Sequence, residues 1–310
     1  MDFRIFVEPQ QGTSYDAVCA LALEAERLGF NGFFTSDHYL RMGDAEGRPG
    51  PLDAWTTLAG LARDTQRLRL GTLVTPVTFR HPGSFAIQAA QVDSMSDGRI
   101  EIGFGAGWFE AEHEAVGVPF PTLGDRFSRL EEAADILTGL WATPVGELYS
   151  YEGSHFRIVE SPGLPKPTQQ PTPPFIVGGR GMRRTPRLAA KIASEFNVAF
   201  EPVDTWTRVV DNVKTVCADN GRDPGELVYS VAKVVCLGAD EATLTHRAKA
   251  IGRESGELRE NGVAGPVAEA AAAIEQYAAA GCDRMYLQYL DIGDLDQLEE
   301  VAALVAPFTT

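Results

Sequence analysis

Features typical of extracellular, metal-binding or membrane proteins are scarce in this 310-residue chain. Its cysteines, Cys19, Cys217, Cys236 and Cys282, are scattered and form no C-x-x-C pair, which argues against a disulfide framework and against a zinc site. No apolar run approaches the ~18 residues of a membrane-spanning helix. The N-terminus, MDFRIFVEPQ, does not resemble a signal peptide. We therefore expect a protein of a reducing compartment, the cytoplasm.

Lysine and arginine are also scarce relative to the acidic residues. The 27 lysines and arginines are outnumbered by 43 acidic residues, and the net charge is −16. This balance argues against non-specific binding to nucleic acid or to an anionic membrane surface. A small anionic ligand would need a local cluster of basic side chains. We expect a small-molecule substrate as the partner, and neither nucleic acid nor membrane.

Short apolar segments alternate regularly with helical patterns along the chain. Eight strand–helix units of this kind predict a parallel sheet. Their number at this length favours an α/β fold of the closed (β/α)8 TIM-barrel type, with an open doubly wound sheet as the alternative. The predicted strands cover residues 3–8, 32–36, 68–76, 99–105, 174–179, 195–200, 227–238 and 283–290. The predicted helices cover residues 15–28, 53–66, 84–95, 123–141, 203–220, 242–255 and 267–280, and two more begin at 186 and 295.

The alternation is interrupted after the fourth strand. Residues 147–160 have the pattern of a β-hairpin that turns at Glu152-Gly153. Residues 162–174 contain six prolines, which predicts a stiff surface loop. We interpret about 143–174 as an insertion in one barrel domain that covers residues 1–310.

Titratable side chains follow the second predicted strand. Ser36, Asp37 and His38 stand where the chain leaves the core, on the barrel face that carries active sites. A carboxylate can orient an imidazole and hold its charge, so His38 beside Asp37 is a candidate acid or base; a structural histidine is the alternative. The run from Glu110 to Glu114, which includes Glu112 and His113, is more typical of a solvated helix face, and we predict no metal site.

The segment after the fifth strand predicts an anion site. Gly178, Gly179 and Gly181 follow the strand directly, and Thr185-Pro186 has the pattern of a helix N-cap followed by proline. Glycines let backbone N–H groups approach a ligand, and a helix start adds partial positive charge. Four arginines crowd the same turn, namely Arg180, Arg183, Arg184 and Arg187. We favour a phosphate site here over a solvated basic helix start.

Glycine alternates with other residues in GFGAGW, at the end of the fourth strand. Such a pattern marks either a closely approaching ligand or tight packing within the barrel. The residues alone leave both readings open.

Several motifs together resemble the bacterial luciferase-like monooxygenase superfamily, in its branch of F420-dependent oxidoreductases. The matching pieces cover most of residues 31–197 in the family's order. They are SDH (36–38), LGTLVTPVTFRHP (70–82), DSMSDGRIEIGFGAGWFEAEHEAVGVPFP (93–121), GDRFSRLEEAADILTGLW (124–141), SYEGSHFRI (150–158) and the run from Val177 to Asn197.

The resemblance implies a (β/α)8 barrel with an insertion after strand four and a flavin or deazaflavin lying across the strand ends. In similar enzymes the pair matching Asp37 and His38 meets the head of the cofactor, and the histidine is the usual acid or base. The bulge of strand three often contains a non-prolyl cis peptide, here Leu73-Val74. Trp108 falls where similar enzymes place a substrate-side residue, so we count it with His38 and Asp37 as candidate catalytic residues.

The resemblance also implies the cofactor contacts. Glycines matching Gly178 and Gly179 hold the cofactor phosphate through their N–H groups. The expected cofactor-binding residues are Asp37, Leu73, Val74, Thr75, Ala106, Gly107, Gly178, Gly179, Arg180, Gly181 and Arg183.

One departure from the luciferases bears on which cofactor binds. Luciferases carry an arginine for the flavin phosphate where this chain has Ala106. Coenzyme F420, with its phosphate and polyglutamate tail, suits the arginines at 180–187, and FMN is the alternative. We therefore expect hydride transfer between F420 and a small organic substrate, with an FMNH2-dependent two-component monooxygenase as the rival. Similar proteins are commonly homodimers, and we expect a homodimer here.

Overall fold

The computed structural model describes residues 1–43 and 46–309. The strands in the described residues are β1 (Asp2–Val7), β2 (Gly32–Thr35), β3 (Arg69–Thr72), β4 (Thr75–Pro76), β5 (Ile100–Gly105), β6 (Tyr149–Glu152), β7 (Arg157–Ser161), β8 (Phe175–Gly178), β9 (Glu195–Ala199), β10 (Val228–Leu237), β11 (Val263–Gly265) and β12 (Arg284–Gln288). The α-helices are α1 (Tyr15–Arg27), α2 (Ala54–Asp64), α3 (Pro82–Met95), α4 (Glu110–Val116), α5 (Leu123–Ala142), α6 (Arg184–Ile192), α7 (Val203–Asp219), α8 (Glu241–Ala250), α9 (Ser255–Asn261), α10 (Val267–Ala279) and α11 (Leu295–Val305).

Eight parallel strands form a closed barrel, in the order β1, β2, β3, β5, β8, β9, β10 and β12. Closure rests on β12, which pairs in parallel with both β1 and β10. This pairing confirms the predicted (β/α)8 barrel and excludes the open sheet. Because all eight strands are parallel, their carboxyl ends meet at one mouth, where we expect the site.

Two stretches differ from the predicted elements. The third strand is divided into β3 and β4 by a bulge at Leu73 and Val74. The helix predicted over 242–255 ends at Ala250 as α8. A further helix that was not predicted, α9, begins at Ser255 and is followed by β11, which pairs with the end of β10. The three-residue β11 was too short to predict, because a strand of this length shows no period. These elements form a wall beside the mouth.

The barrel interior is layered. Its middle layer is apolar and consists of Phe6, Phe34, Ile176, Ala232 and Tyr286. The layer below it, at the amino ends of the strands, is ionic. We call it the basal ion cluster; it consists of Asp2, Arg4, Arg69, Glu101, Glu195 and Arg284. Among the described residues, the barrel interior is therefore filled at the amino ends of the strands, and its open end is the mouth at their carboxyl ends.

Between α5 and β8 lies an antiparallel hairpin of β6 and β7. Glu132 of α5 holds its turn, because its carboxylate accepts hydrogen bonds from the backbone N–H groups of Ser154 at 2.8 Å and Phe156 at 3.1 Å. Among the described residues, no helix is long and apolar enough to cross a membrane.

Candidate active site

His38 lies just beyond β2 at the mouth of the barrel, with 15% of its side chain exposed. Its Nδ1 lies 2.9 and 3.0 Å from the two carboxylate oxygens of Glu112, in α4. The backbone N–H of Tyr39 also donates to Glu112, at 3.1 Å. Because Nδ1–H faces a carboxylate, Nε2 is left as the acceptor nitrogen. Within residues 1–43 and 46–309, Nε2 has no hydrogen-bond partner.

The predicted pairing of Asp37 with His38 is wrong, because Glu112 is the carboxylate that orients this imidazole. The reading of residues 110–114 as a solvated face is also wrong for two of its members. Glu112 is 1% exposed and His113 is fully buried. His113 is held by Thr78 Oγ1 at 2.7 Å from Nε2 and by the Phe109 carbonyl at 2.7 Å from Nδ1. The charged run suggested a helix face, but nothing local indicated which side of α4 faces the barrel.

Asp37 fastens the end of β2 to the neighbouring strand. Its carboxylate is buried, accepts a hydrogen bond from Thr75 Oγ1 at 2.9 Å and pairs with the Arg80 guanidinium at 3.0 Å. Trp55 Nε1 donates to the same Thr75 oxygen at 2.8 Å. Burial raises the pKa of Asp37, while Arg80 and Thr75 oppose the rise. Asp37 and Thr75 therefore hold the bulge in place.

Arg80 bridges Asp37 to a second carboxylate, Asp53, at 2.8 Å. Asp53 also caps α2 by accepting from the Thr56 N–H at 2.8 Å. Burial alone would raise the pKa of Asp53, but these hydrogen bonds bring it down to about 2.

This lowered pKa predicts an acid-sensitive contribution to stability. A carboxyl whose pKa falls on folding stabilises the protein above its unfolded pKa, and the effect is lost as pH falls from about 4 towards 2. We expect the difference in melting temperature between the unmodified chain and Asp53→Asn to shrink over that interval, since asparagine still caps α2. Melting curves at each pH measure it. Asp219→Asn, at an exposed helix end, is the control, and an unchanged difference would refute the assignment.

The bulge between β3 and β4 has the Leu73–Val74 peptide bond in cis, as expected from the resemblance. It packs directly against β5. A Cβ on Gly103 would lie 1.9 Å from the Thr72 carbonyl oxygen, and one on Gly105 would lie 2.7 Å from a Val74 methyl. The glycines of β5 therefore serve tight packing, the second of the two readings left open by the sequence. Ala106 and Gly107 continue from β5 to the mouth and are partly buried.

The turn from β8 to α6 differs in detail from the predicted phosphate site. The Gly179 N–H donates to the Asn197 carbonyl at 3.0 Å, so it is not available to a ligand as predicted. The predicted cap at Thr185 is also wrong, since α6 begins at Arg184 with Arg183 as its N-cap and no side-chain cap. Gly179 has a φ of 137°, which favours glycine at this turn.

The four arginines of the turn divide into two pairs. Arg180 is bound to Glu201 at 2.8 Å, and Arg184 is bound to Glu131 at 2.6 Å. Arg183 and Arg187 are exposed, and their side chains have no partner in the part of the chain that the structure describes. Beside the turn lies a cavity of about 460 Å³, lined by Gly181 and Arg183 among others. An uncapped helix start with two unpaired cations can hold an anion.

Trp108 is 65% exposed at the end of β5. Its ring stacks on Phe109, with centroids 5.3 Å apart, and stands edge-on to His38 at 5.8 Å. It therefore offers an open aromatic face beside the imidazole.

A cavity of about 820 Å³, which we call the mouth cavity, opens at the carboxyl ends of other barrel strands, and its lining does not include His38 or Trp108. Glu8, Phe200, Val234 and Gln288 line it, and they follow or belong to β1, β9, β10 and β12. Burial raises the pKa of Glu8, while the nearby His38 opposes the rise. Glu8 was missed as a candidate, although an acid at the end of the first predicted strand was a signal of the kind that singled out His38. In the described ranges no group of three His, Cys, Asp or Glu residues could hold a metal ion.

The fold and the mouth can now be compared with known proteins. The profile of a family described as luciferase-like monooxygenase matches residues 1–303. The chain belongs to the luciferase-like monooxygenase family. The resemblance seen in the motifs of residues 31–197 thus extends to nearly the whole chain.

Relatives of this luciferase-like chain include F420-dependent and flavin-dependent enzymes. It is 37% identical over 174 residues to an F420-dependent glucose-6-phosphate dehydrogenase of Microbacterium testaceum, covering 56% of this chain and 49% of the relative. It is 30% identical over 177 residues to the oxygenase component of a flavin-dependent trigonelline monooxygenase of Acinetobacter baylyi, covering 57% and 46%. The chain spans about half the length of these curated relatives.

Solved structures agree on the fold. An F420-dependent secondary alcohol dehydrogenase, solved in complex with an F420–acetone adduct, superposes with a TM-score of 0.84 at 18% identity, over 98% of each chain.

Proposed function

We propose that this chain is an oxidoreductase that transfers a hydride between coenzyme F420 and a small organic substrate. The observation that carries the proposal is the His38 imidazole, fixed through Nδ1 by the buried Glu112 at the barrel mouth. The bulge at Leu73–Val74 agrees with the resemblance to F420-dependent enzymes. So does Ala106, which stands where luciferases carry an arginine for the flavin phosphate. The F420-dependent relatives support the cofactor.

The residues at the mouth fit a long anionic cofactor. The bulge at Leu73 and Val74, held by Thr75 and Asp37, would support the ring system. The start of α6, with Arg183 and Arg187, would hold the phosphate and the acidic tail. The barrel strands β2 and β8 are separated by β3 and β5. Three strand spacings of ~4.8 Å put His38, after β2, and the start of α6, after β8, roughly 14 Å apart along the barrel wall. One extended ligand can bridge this distance.

When bound, F420 accepts or supplies a hydride at C5 of its deazaflavin ring. The protein's residues position the partners and handle the proton. Glu112 fixes the tautomer of His38, so that Nε2 can take a proton from the substrate oxygen in oxidation and return it in reduction. Trp108 flanks the imidazole with an exposed aromatic face and can cover the substrate from the solvent side.

An FMNH2-dependent monooxygenase is the second candidate, because the chain is also similar to the trigonelline monooxygenase component. Titrating the purified protein with F420 and with FMN side by side separates the two. We expect tighter binding of F420. Tighter binding of FMN, with oxygen consumption when reduced FMN is supplied, would favour the second candidate.

Replacing Arg183 with alanine is expected to weaken F420 binding roughly tenfold, because one charge-assisted hydrogen bond to the phosphate or tail is lost. Quenching of F420 fluorescence measures the affinity. Arg157→Ala removes another exposed arginine, in the hairpin and outside the lining of the cavity beside the turn, and is the control. Equal affinities for both variants would show that the start of α6 does not bind the cofactor.

The homodimer and the cytoplasmic location expected from the sequence stay predictions. Light scattering of the purified protein tests the first.

A further inference from the structure

Helix α4, all of whose residues the structure describes, has no buried apolar side chain. Two of its seven residues are buried, Glu112 and His113, and both are polar. The others, residues 110, 111 and 114–116, are exposed. A surface helix is normally held by an apolar stripe that packs on the core. Because α4 has no such stripe, the position of the Glu112 carboxylate beside His38 depends on the contacts of the adjacent His113.

Both ring nitrogens of His113 have partners. Nδ1 lies 2.7 Å from the carbonyl oxygen of Phe109, the residue that precedes α4. A carbonyl oxygen only accepts hydrogen bonds, so Nδ1 carries the hydrogen, and Nε2 of the neutral ring is an acceptor. The partner of Nε2 is the Thr78 hydroxyl at 2.7 Å, which therefore donates to the ring. Thr78 lies just after β4, so this hydrogen bond joins α4 to the loop that follows β4.

The His113 ring also contacts two aromatic rings. The centres of the Phe79 and Phe120 rings each lie 4.7 Å from its own. Phe79 in turn contacts Tyr39, with ring centres 4.9 Å apart. The backbone N–H of Tyr39 donates to Glu112 at 3.1 Å. This row of rings connects the loops after β2 and β4 to α4, and His113 is the member that belongs to the helix.

The orientation of His38 is sensitive to the position of α4. Glu112 selects the Nδ1–H form of His38 only while its carboxylate stays within hydrogen-bond distance, and the two groups are 2.9 Å apart. A displacement of α4 by about 1 Å would lengthen this contact beyond the range of a hydrogen bond. Since His38 follows β2 and Glu112 belongs to α4, a contact that fixes α4 against the barrel also fixes the tautomer.

We propose that His113, held by the Thr78 hydroxyl, is a positioning residue, which fixes α4 so that Glu112 orients the His38 imidazole. The proposal rests on the proposed function, because it concerns the imidazole to which that function assigns the proton transfer. The proton transfer itself stays with His38. A histidine that only filled the space between Phe79 and Phe120 would affect stability and leave the tautomer of His38 unchanged.

The tautomer of His38 can be measured in the protein without cofactor. Long-range proton–nitrogen NMR spectra of the chain labelled with 15N-histidine show both nitrogens of its 5 histidines, and His38→Ala assigns the His38 signals. Thr78→Val keeps the shape of the side chain and removes the hydroxyl. We expect it to move the His38 signals towards the average of an imidazole that exchanges freely between its tautomers. Thr78→Ser, which keeps the hydroxyl, should restore them.

Thr245→Val is the matched control, because Thr245 is exposed on α8, and we expect no change in the His38 signals. His113→Phe is a second test. It keeps an aromatic ring and removes both hydrogen bonds of the imidazole, so the His38 signals should move in the same direction as in Thr78→Val. If His113→Phe does not fold, the two Thr78 variants decide.

A double variant shows whether Thr78 acts through Glu112. Glu112→Gln alone should release the tautomer, so Thr78→Val added to it should move the His38 signals no further. A general loosening of the structure would instead add its own change. Affinity for F420, measured by its fluorescence in each single variant, tests the proposed function separately.

Two results would overturn the assignment. They are His38 signals that stay unchanged in Thr78→Val, and a change that Thr78→Ser does not reverse or that recurs in full on top of Glu112→Gln. A failure of the unmodified chain to bind F420 would count against the proposed function instead. The tautomer of His38 would still show whether His113 positions Glu112.

Discussion

Replacing His38 with alanine is expected to lower kcat by about 100- to 10,000-fold, with little change in F420 affinity. Nδ1 of His38 is occupied by Glu112 at 2.9 Å, so the ring is oriented without help from a ligand. Only Nε2 remains for proton transfer. Steady-state turnover at saturating F420, together with fluorescence titration of F420, separates the chemical role from binding.

His81→Ala is the matched control for this substitution. His81 follows the neighbouring strand β4 and caps α3, with Nδ1 accepting from the Gly83 N–H at 3.2 Å. Losing the cap should destabilise the protein by about 1 kcal/mol and leave kcat nearly unchanged. If His38→Ala lowered F420 affinity as much as turnover, the imidazole would be a binding group. If it lowered neither, the active-site assignment would fall.

Glu112→Gln tests the same proton transfer through the residue that orients His38. A glutamine side chain presents both an acceptor and a donor, so it no longer selects the Nδ1–H tautomer. We expect a loss of turnover smaller than that of His38→Ala. Combined in one chain, the two substitutions should lose little more than His38→Ala alone, because Glu112 acts through the imidazole.

The barrel and the place of its site were predictable from sequence for a physical reason. Eight buried strands separated by helices admit few arrangements, and parallel strands put every strand-following loop at one mouth. His38, Thr75, Trp108 and the β8–α6 turn therefore had to converge there. Their partners were not predictable in the same way. Glu112 lies 74 residues after His38, and only the packing of α4 decides that its carboxylate faces inward.

The incorrect predictions have one cause: a local sequence pattern does not contain the tertiary contacts that decide which partner a side chain takes. Asp37 is adjacent to His38 in sequence, yet consecutive residues leaving a strand point in different directions, and Arg80 and Thr75 take its carboxylate. Thr185 has the composition of an N-cap, but α6 begins one residue earlier. Glu8 was not predicted because a single acid at the end of a strand forms no motif. The structure shows that it lines the mouth cavity.

The basal ion cluster sits at the opposite end of the barrel from the mouth and carries the second large prediction. Arg4 is 3% exposed; it pairs with Asp2 at 3.0 Å and with Glu101, and its guanidinium lies 5.1 Å from the centre of the Phe34 ring. Glu101 is 5% exposed and also pairs with Arg69 at 2.8 Å. Burial alone would raise the pKa of Glu101, but the arginines, Arg4 foremost, lower it, so the carboxylate depends on them for its charge.

Arg4→Met is therefore expected to lower the free energy of unfolding by about 3–5 kcal/mol, because it leaves buried carboxylates short of a partner. Urea unfolding followed by circular dichroism measures it.

Arg27→Met is the control. It removes an arginine that also has two ion pairs, with Glu24 and Glu299, but is 58% exposed, and it should change stability by less than about 1 kcal/mol. Adding Glu101→Leu to Arg4→Met should recover part of the loss, since it removes one of the two buried carboxylates that Arg4→Met leaves with fewer cationic partners. Equal effects of Arg4→Met and Arg27→Met would mean that the cluster contributes no more than a surface pair. F420 affinity should be the same in all folded variants, because the cluster and the mouth lie at opposite ends of the strands.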